Sequence, residues 1–401
     1  MTRTDRASAG AATIKDVARV AGVSVATVSR VLNGSAPVLE PTRRRILQAA
    51  RELRFIPNAS ARSLSTRRTA ALGVVLPDLH GEFFSELLRG VDRMAQQYER
   101  HLLVSSSHHD SRGIAAALRA MHGRVDGLIV MAPDVPADAL AEALPPGLPV
   151  VLLNCAAGFD AVGSALDLVE VLAVDNCGGA AAMVRHLAAV GHERIAFIAG
   201  AAHNEDARER RRGYCTAMQQ AGLAIPASYQ PRGDFTEEGG WRATQALLAE
   251  SSRPSAIFAA NDMMALGALR ALRETGLRVP DDVAVVGFDN IPTAQYVSPS
   301  LTTIAVDVDA LGARAAELLL RTMGEHDRAA DAVGTVRLGH REVLPTTLVV
   351  RASCGALACD EIGSPFVSGR AGTASAAKST HRRTPSGLTR GTTAISEETE
   401  S

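Results

Sequence analysis

A chain of 401 residues, 46% hydrophobic and 21% charged, holds enough apolar material for a small domain plus one large or two medium domains, which excludes a minimal scaffold and a wholly disordered chain. Its net charge of -1 hides an asymmetry: residues 1–68 carry thirteen Arg and Lys against four Asp and Glu, and the remainder twenty-nine against thirty-nine. A basic head on an acidic body directs a polyanionic partner to the N-terminal end, the bland alternative being a merely soluble basic tail.

Residues 1–12 are polar, read as disordered, and lack the apolar stretch of a secretory signal. No run has the length of a membrane span, so a cytoplasmic setting without a membrane partner is expected. Thr13 and Asp16 have capping-box spacing, and Ile14, Val17, Ala18 and Ala21 recur at helical intervals. Gly22 permits a sharp turn, and Ser24 is placed to cap a second helix with Val25, Val28 and Leu32 inward. A third helix, roughly Thr42 to Leu53, adds Ile46, Ala49, Ala50 and Leu53 to a miniature core, and Pro57-Asn58 breaks it. The head therefore covers 13–57, and 58–69 is a linker, either tether or inducible helix.

From Ala71 onward short β-rich runs alternate with helical patterns. Strands are expected at 72–76, 102–105, 127–131, 150–153, 171–174, 195–198, 256–259 and 283–287. Helices are expected near 84–97, 112–122, 177–190, 206–221, 237–249, 262–275 and 308–323. Such alternation specifies parallel sheets covered by helices, and the number of strands favours two lobes over one sheet. Residues 355–401 contain twenty-seven Gly, Ala, Ser or Thr in forty-seven positions and are read as a disordered tail, with His381-Arg382-Arg383 as solvated surface.

Five scattered cysteines without a CxxC pair argue against structural disulfides and a cysteine-rich zinc site. His108-His109-Asp110 reads as a polar loop at a strand exit in preference to a metal site. GxGxxG, HExxH and G-x-S-x-G patterns are missing, so no enzyme, cofactor or metal is expected.

The stretch TIKDVARVAGVSVATVSRVLNG, Thr13 to Gly34, fits a helix-turn-helix: Val17, Ala18, Val23, Val28 and Leu32 are apolar, while Ser24, Ala26, Thr27, Ser29 and Arg30 fall on the outer face. With Phe55-Ile56-Pro57-Asn58, this sequence resembles the lactose-repressor family of transcriptional regulators over about 13–354. The resemblance implies an all-α helix-turn-helix head and a periplasmic-binding-protein-like α/β body of two lobes, each a parallel β-sheet covered by helices. It divides the body into lobe one, 70–170 and 301–332, and lobe two, 171–300 and 333–354.

The resemblance also assigns roles. Val25, Ala26 and Arg30 would read bases, the first two by apolar contact and Arg30 by a bidentate guanine contact. Thr13, Ser24, Thr27, Ser29 and Asn33 would contact the DNA backbone and fix register. Residues 58–69 would form a hinge helix that brings Ala61 and Leu64 to the minor groove, Leu64 as an apolar wedge. In the cleft, Arg210 would clasp a small effector, expected to be a sugar with a nucleoside or polyol as alternatives, with Asp289 and Asn261 as polar partners and Phe235 stacking on the ring. Asn154, Asp78, Phe83 and Phe84 complete the expected pocket.

The expected partners are a near-palindromic double-stranded operator, the effector and a second copy of the chain. The tail lacks the leucine heptads of a tetramerising helix. The function implied is a ligand-responsive repressor of sugar uptake or catabolism genes, with an activator, a dual regulator or a binding module without DNA output as alternatives.

Overall fold

The structure, a computed structural model, describes residues 12–33, 37–55, 68–155, 169–330 and 341–356. The head has helices α1 (Ile14–Ala21), α2 (Val25–Asn33) and α3 (Glu40–Glu52). Local chemistry sets their ends. The Thr13 backbone N–H and hydroxyl donate to the Asp16 carboxylate at 3.0 and 2.7 Å, fixing the start of α1. Gly22 adopts φ 63°, a left-handed conformation that closes α1 and that a side chain would penalise. Ser24 Oγ then accepts from the Thr27 N–H at 3.2 Å and caps α2.

Val17, Ala18, Ala21, Val28, Ile46 and Ala49 are buried together, with Leu32, Ala50 and Leu53 packed against them. Two expectations need correction. Val25 does not face this core but is 40% exposed, because the inner stripe of α2 runs through Val28. The third helix ends at Glu52, before Pro57: Arg54 turns the chain with φ 48°. Pro57, Asn58, Ala61 and Leu64 lie outside the described residues, as do residues 1–11 and 357–401.

The body contains two sheets. The first has the order β10-β5-β4-β3-β1-β2, built from β1 (Ala71–Leu76), β2 (His101–Ser106), β3 (Gly127–Met131), β4 (Val150–Leu153), β5 (Val169–Val174) and β10 (Arg341–Leu344), all parallel. The second has the order β11-β9-β8-β7-β6, built from β6 (Ile195–Ile198), β7 (Ala256–Ala259), β8 (Ala284–Asp289), β9 (Thr302–Ala305) and β11 (Thr347–Val349). Its edge strand β11 alone runs antiparallel.

Strands β1, β3, β4 and β5 are buried along their whole length, the result of helices covering both faces of a parallel sheet. The covering helices are α4 (Glu82–Gln97), α5 (Ser111–Met121), α6 (Ala137–Ala143), α7 (Asn176–Val190), α8 (Glu205–Gln220), α9 (Glu237–Leu248), α10 (Asp262–Glu274) and α11 (Val308–Ala330). Among the described residues no helix is long and apolar enough to cross a membrane, and no disulfide joins the cysteines.

The chain crosses between lobes three times, after β5, after β9 and between β10 and β11. These crossings fall later than 170, 300 and 332. Pairing decides the matter: Val171 sits opposite Leu152 in sheet one, Thr303 opposite Gly287 in sheet two, and Val343 opposite Ala173 in sheet one. Strands β9, β10 and β11 and helix α6 escaped the sequence reading: β9 and β11 begin on threonine in place of a continuous apolar run, β10 alternates exposed and half-buried residues at a sheet edge, and α6 is only seven residues long.

Candidate functional site

A cavity of about 150 Å³ opens between the lobes at the carboxyl ends of their strands, where parallel sheets leave a crevice. Lobe one contributes Pro77, Asp78, Phe83, Phe84, His109 and Pro133; lobe two contributes Asn204, Asp206, Arg210, Phe235, Asn261 and Asp289. Seven of the eight expected pocket residues thus meet here: Asp78, Phe83, Phe84, Arg210, Phe235, Asn261 and Asp289. Asn154 does not line the cavity and is corrected to a buried strut. Its Oδ1 accepts from the Val174 N–H at 3.1 Å and its Nδ2 donates to Asp206 at 3.3 Å, joining the end of β4 to α8 in the other lobe.

Arg210 is 4% exposed and committed on every side. Its Nε donates to Asn176 Oδ1 at 2.8 Å, Nη1 to the Ala260 carbonyl at 2.6 Å, and the guanidinium lies 3.9 Å from the centroid of Phe288. Nη2 stands 2.9 Å from Asp289 Oδ1, an ion pair, although among the described residues that oxygen accepts no directed hydrogen bond. Charge holds the pair together, and Asp289 is part of the cavity lining.

Burial pushes the Asp289 carboxyl up to about 6 against the opposing pull of Arg210. Asp206 is pushed up to about 7 for the same first reason, with Arg210 again opposing and the Asp289 charge adding to the rise. Asn176 Nδ2 donates to Asp206 Oδ1 at 2.8 Å, so one polar chain runs Asn154–Asp206–Asn176–Arg210–Asp289 through both lobes.

The apolar walls are also fixed. Phe83 and Phe84 meet edge to face with centroids 5.5 Å apart. Phe235 lies against Gly200, where a Cβ would come within 2.3 Å of its ring. Asn261 Nδ2 donates to the Phe235 carbonyl at 3.0 Å while its Oδ1 caps α10 through the Met264 N–H at 2.9 Å. Residues with positive φ gather around the cleft: His109 at 60°, Asn154 at 45°, Phe235 at 66°, Asp289 at 109° and Asn290 at 57°. Such backbone strain persists only where the surrounding fold imposes it.

Sequence reading left His109 as a polar-loop residue and missed both Asn204 and Asp206. The last two carried a signal, because Asn204 caps α8 through the Ala207 N–H at 3.0 Å and so starts the helix that aims Asp206 and Arg210. His109 had none; a loop residue gains its place only when β2 and β3 lie side by side with β1.

On the head, Ser24, Val25, Ala26, Arg30 and Asn33 are exposed, with Thr27 and Ser29 half-buried beside them. Ser24 Oγ and Thr27 Oγ1 are 2.9 Å apart, and Asn33 Nδ2 donates to Ser29 Oγ at 3.2 Å, so these side chains are ordered by one another. Arg30 forms no ion pair or hydrogen bond with the described residues.

A helix-turn-helix head on a body with a ligand-sized cleft defines a DNA-binding regulator with a ligand-binding domain. Residues 13–58 match the model of bacterial regulatory proteins of the lacI family, and residues 184–354 match that of the periplasmic binding protein-like domain. The catabolite control protein A of Priestia megaterium is 35% identical over 82% of this chain and 97% of its own. The ribose operon repressor of Escherichia coli is 38% identical over 77% of this chain and 92% of its own.

Among solved structures, the lac repressor dimer bound to operator and an anti-inducer has a TM-score of 0.74 and 31% identity, covering 86% of this chain and all of that one. A LacI-family regulator from Enterococcus faecium with bound ribose has a TM-score of 0.58 and 27% identity over 71% of this chain and 98% of that one. The chain belongs to the LacI family of bacterial transcriptional regulators. It is a DNA-binding regulator and not an enzyme.

Proposed function

We infer that the protein is a dimeric repressor whose grip on a near-palindromic operator is set by a neutral monosaccharide, and that it controls genes for uptake or catabolism of that sugar. The observation that carries this reading is the Arg210–Asp289 pair opposite an aromatic wall in a monosaccharide-sized cleft. A sugar ring presents hydroxyls to the pair and an apolar face to Phe83, Phe84 or Phe235. Among the described lining residues, Asp78, Asp206, Asp234 and Asp289 outnumber Arg210 and His109, which disfavours a phosphorylated ligand. The ribose operon repressors among the relatives and the ribose-bound structure support the same class of effector.

On the head, Val25, Ala26 and Arg30 read the operator half-site, while Thr13, Ser24, Thr27, Ser29 and Asn33 hold the phosphates. Ala61 and Leu64 enter the minor groove between the two half-sites. The effector acts by binding one lobe arrangement more tightly than another, which shifts the population of DNA-competent dimer.

Two measurements test this reading. Genomic fragments captured by the purified protein at fixed salt should be enriched in a near-palindromic site beside sugar transport or catabolic genes. Calorimetry with D-ribose, D-galactose, D-glucose and D-fructose should show one binder whose addition changes operator affinity. Fragments without a shared site would overturn the operator assignment, and a rise in transcription on binding would make the protein an activator.

A further inference from the structure

Lobe two faces the cavity with a cation and a carboxylate, Arg210 and Asp289. Lobe one offers a second such pair. Strand β2 ends at Ser106, and His108 and His109 follow with φ of 54° and 60°, a strained backbone that brings His109 to the cavity wall. Behind the ring, Nδ1 is 2.8 Å from an oxygen of Asp134, whose side chain is only 2% exposed. A carboxylate accepts, so Nδ1 carries a hydrogen. In front, Nε2 stands 3.8 Å from Asp78 Oδ2, and Asp78 also lines the cavity. That gap is too long for a hydrogen bond. A hydroxyl, donor and acceptor in one atom, bridges the two groups when it sits to one side of that line, about 2.8 Å from each.

We propose that His109 and Asp78 form the lobe-one half of the effector site, seating one sugar hydroxyl between His109 Nε2 and Asp78 Oδ2, with Asp134 as the positioning residue behind the ring. The assignment rests on the reading of the cleft as a neutral-sugar site. The hydroxyl gives its only hydrogen to Asp78 and accepts from His109, so both ring nitrogens must be protonated. Asp134 does more than orient the ring: Asn204 from lobe two donates to its other oxygen at 2.7 Å, so the group that holds His109 also ties the lobes.

The groups facing His109 are Asp134 and Asp78. Beyond them, His203 Nε2 lies 3.7 Å from Asp134, and His80 stands beside Asp78, to which its backbone N–H donates at 3.2 Å. The hydrogen bond to Asp134 raises the His109 pKa; burial opposes this, and the charges of Asp134 and Asp78 add to the rise. The His109 contribution to sugar binding is therefore full in acid and lost as pH rises through this titration. Asp206 and Asp289, with pKa about 7 and about 6, become better acceptors over the same range and push the other way. The His109 part must accordingly be read as a difference between variants.

Calorimetry of the full chain with D-ribose and with D-galactose, at about pH 5.5 and about pH 8.5, provides that difference. His109→Ala should weaken the sugar that binds by about tenfold in acid and by under about threefold in base, the loss of one charge-assisted hydrogen bond. His109→Gln, which keeps a donor that does not titrate, should recover most of the acid affinity and cancel the His109 part of the pH slope. If His109→Ala and His109→Gln both keep wild-type affinity and slope while Arg210→Ala abolishes binding, the proposal falls and the sugar site stands. If the wild type binds none of D-ribose, D-galactose, D-glucose and D-fructose, the proposal and the sugar reading fall together.

Discussion

In the head, every residue assigned to DNA within the described structure lies between Thr13 and Asn33, at the start of one helix and along the next, whose side chains order one another through Ser24–Thr27 and Ser29–Asn33. In the body, the cavity wall draws on Pro77 through Ile291, with no two lobes' worth of residues adjacent in the chain. The head's surface is a local property: a capped helix, a left-handed glycine and a second capped helix suffice to present it. The body's site exists only when two sheets and three crossings are in place, and it is held by a buried polar chain with few spare donors. The first should tolerate changes to the second, and damage in the cleft should be felt as instability as well as lost binding.

Arg210→Ala puts that contrast to the strongest test. It removes bonds to Asn176 and Ala260, the contact with Phe288, and the charge opposite a buried carboxylate. Leaving a buried charge uncompensated costs about 3–5 kcal/mol. Effector binding should vanish and the body should melt at lower temperature, while operator affinity without effector stays at the wild-type value at the same salt. An equal loss of operator affinity would show that head and cleft are not separable.

Arg30→Ala is the converse. Loss of a bidentate base contact should lower operator affinity by about 1–3 kcal/mol and relax the choice at one base pair, with sugar affinity unchanged. Fluorescence anisotropy on operators varied one position at a time measures both. Uniform weakening across all sequences would instead make Arg30 a phosphate contact.

The smallest effect is expected from Asp262→Asn, behind the cleft. Asp262 is fully buried, its Oδ1 accepting from the Thr303 hydroxyl at 2.6 Å and its Oδ2 from the Ile291 N–H at 2.9 Å. Burial, with the Asp289 charge adding, pushes its pKa up to about 8 from 3.8. A raised carboxyl contributes stability that is fully present below its unfolded pKa and is lost as pH rises through the folded one. The body's Tm should therefore decline between about pH 4 and about pH 8, and Asp262→Asn should flatten that decline by a few degrees. Asn keeps both bonds by accepting from Ile291 and donating to Thr303, so an unchanged slope would assign the pH dependence to Asp206 or Asp289.

The amino-acid sequence by itself determined the helix-turn-helix and the alternation of strands and helices from β1 to β8. These rest on short-range rules: the Thr13–Asp16 and Ser24–Thr27 caps, the turn at Gly22, and apolar runs such as Ala71–Leu76 that are buried on both faces. Resemblance to known regulators placed Arg210, Asp289, Asn261 and Phe235, and the cleft brings them together. Only the tertiary structure decided the lobe to which β5, β9 and β10 belong, because a strand's partner is chosen by pairing that no local pattern encodes. It also moved Asn154 out of the pocket into a strut and moved His109 into the wall. A side chain's chemistry is written in the sequence, but its distance to Asp134 or Asp206 depends on how separate strands and lobes pack.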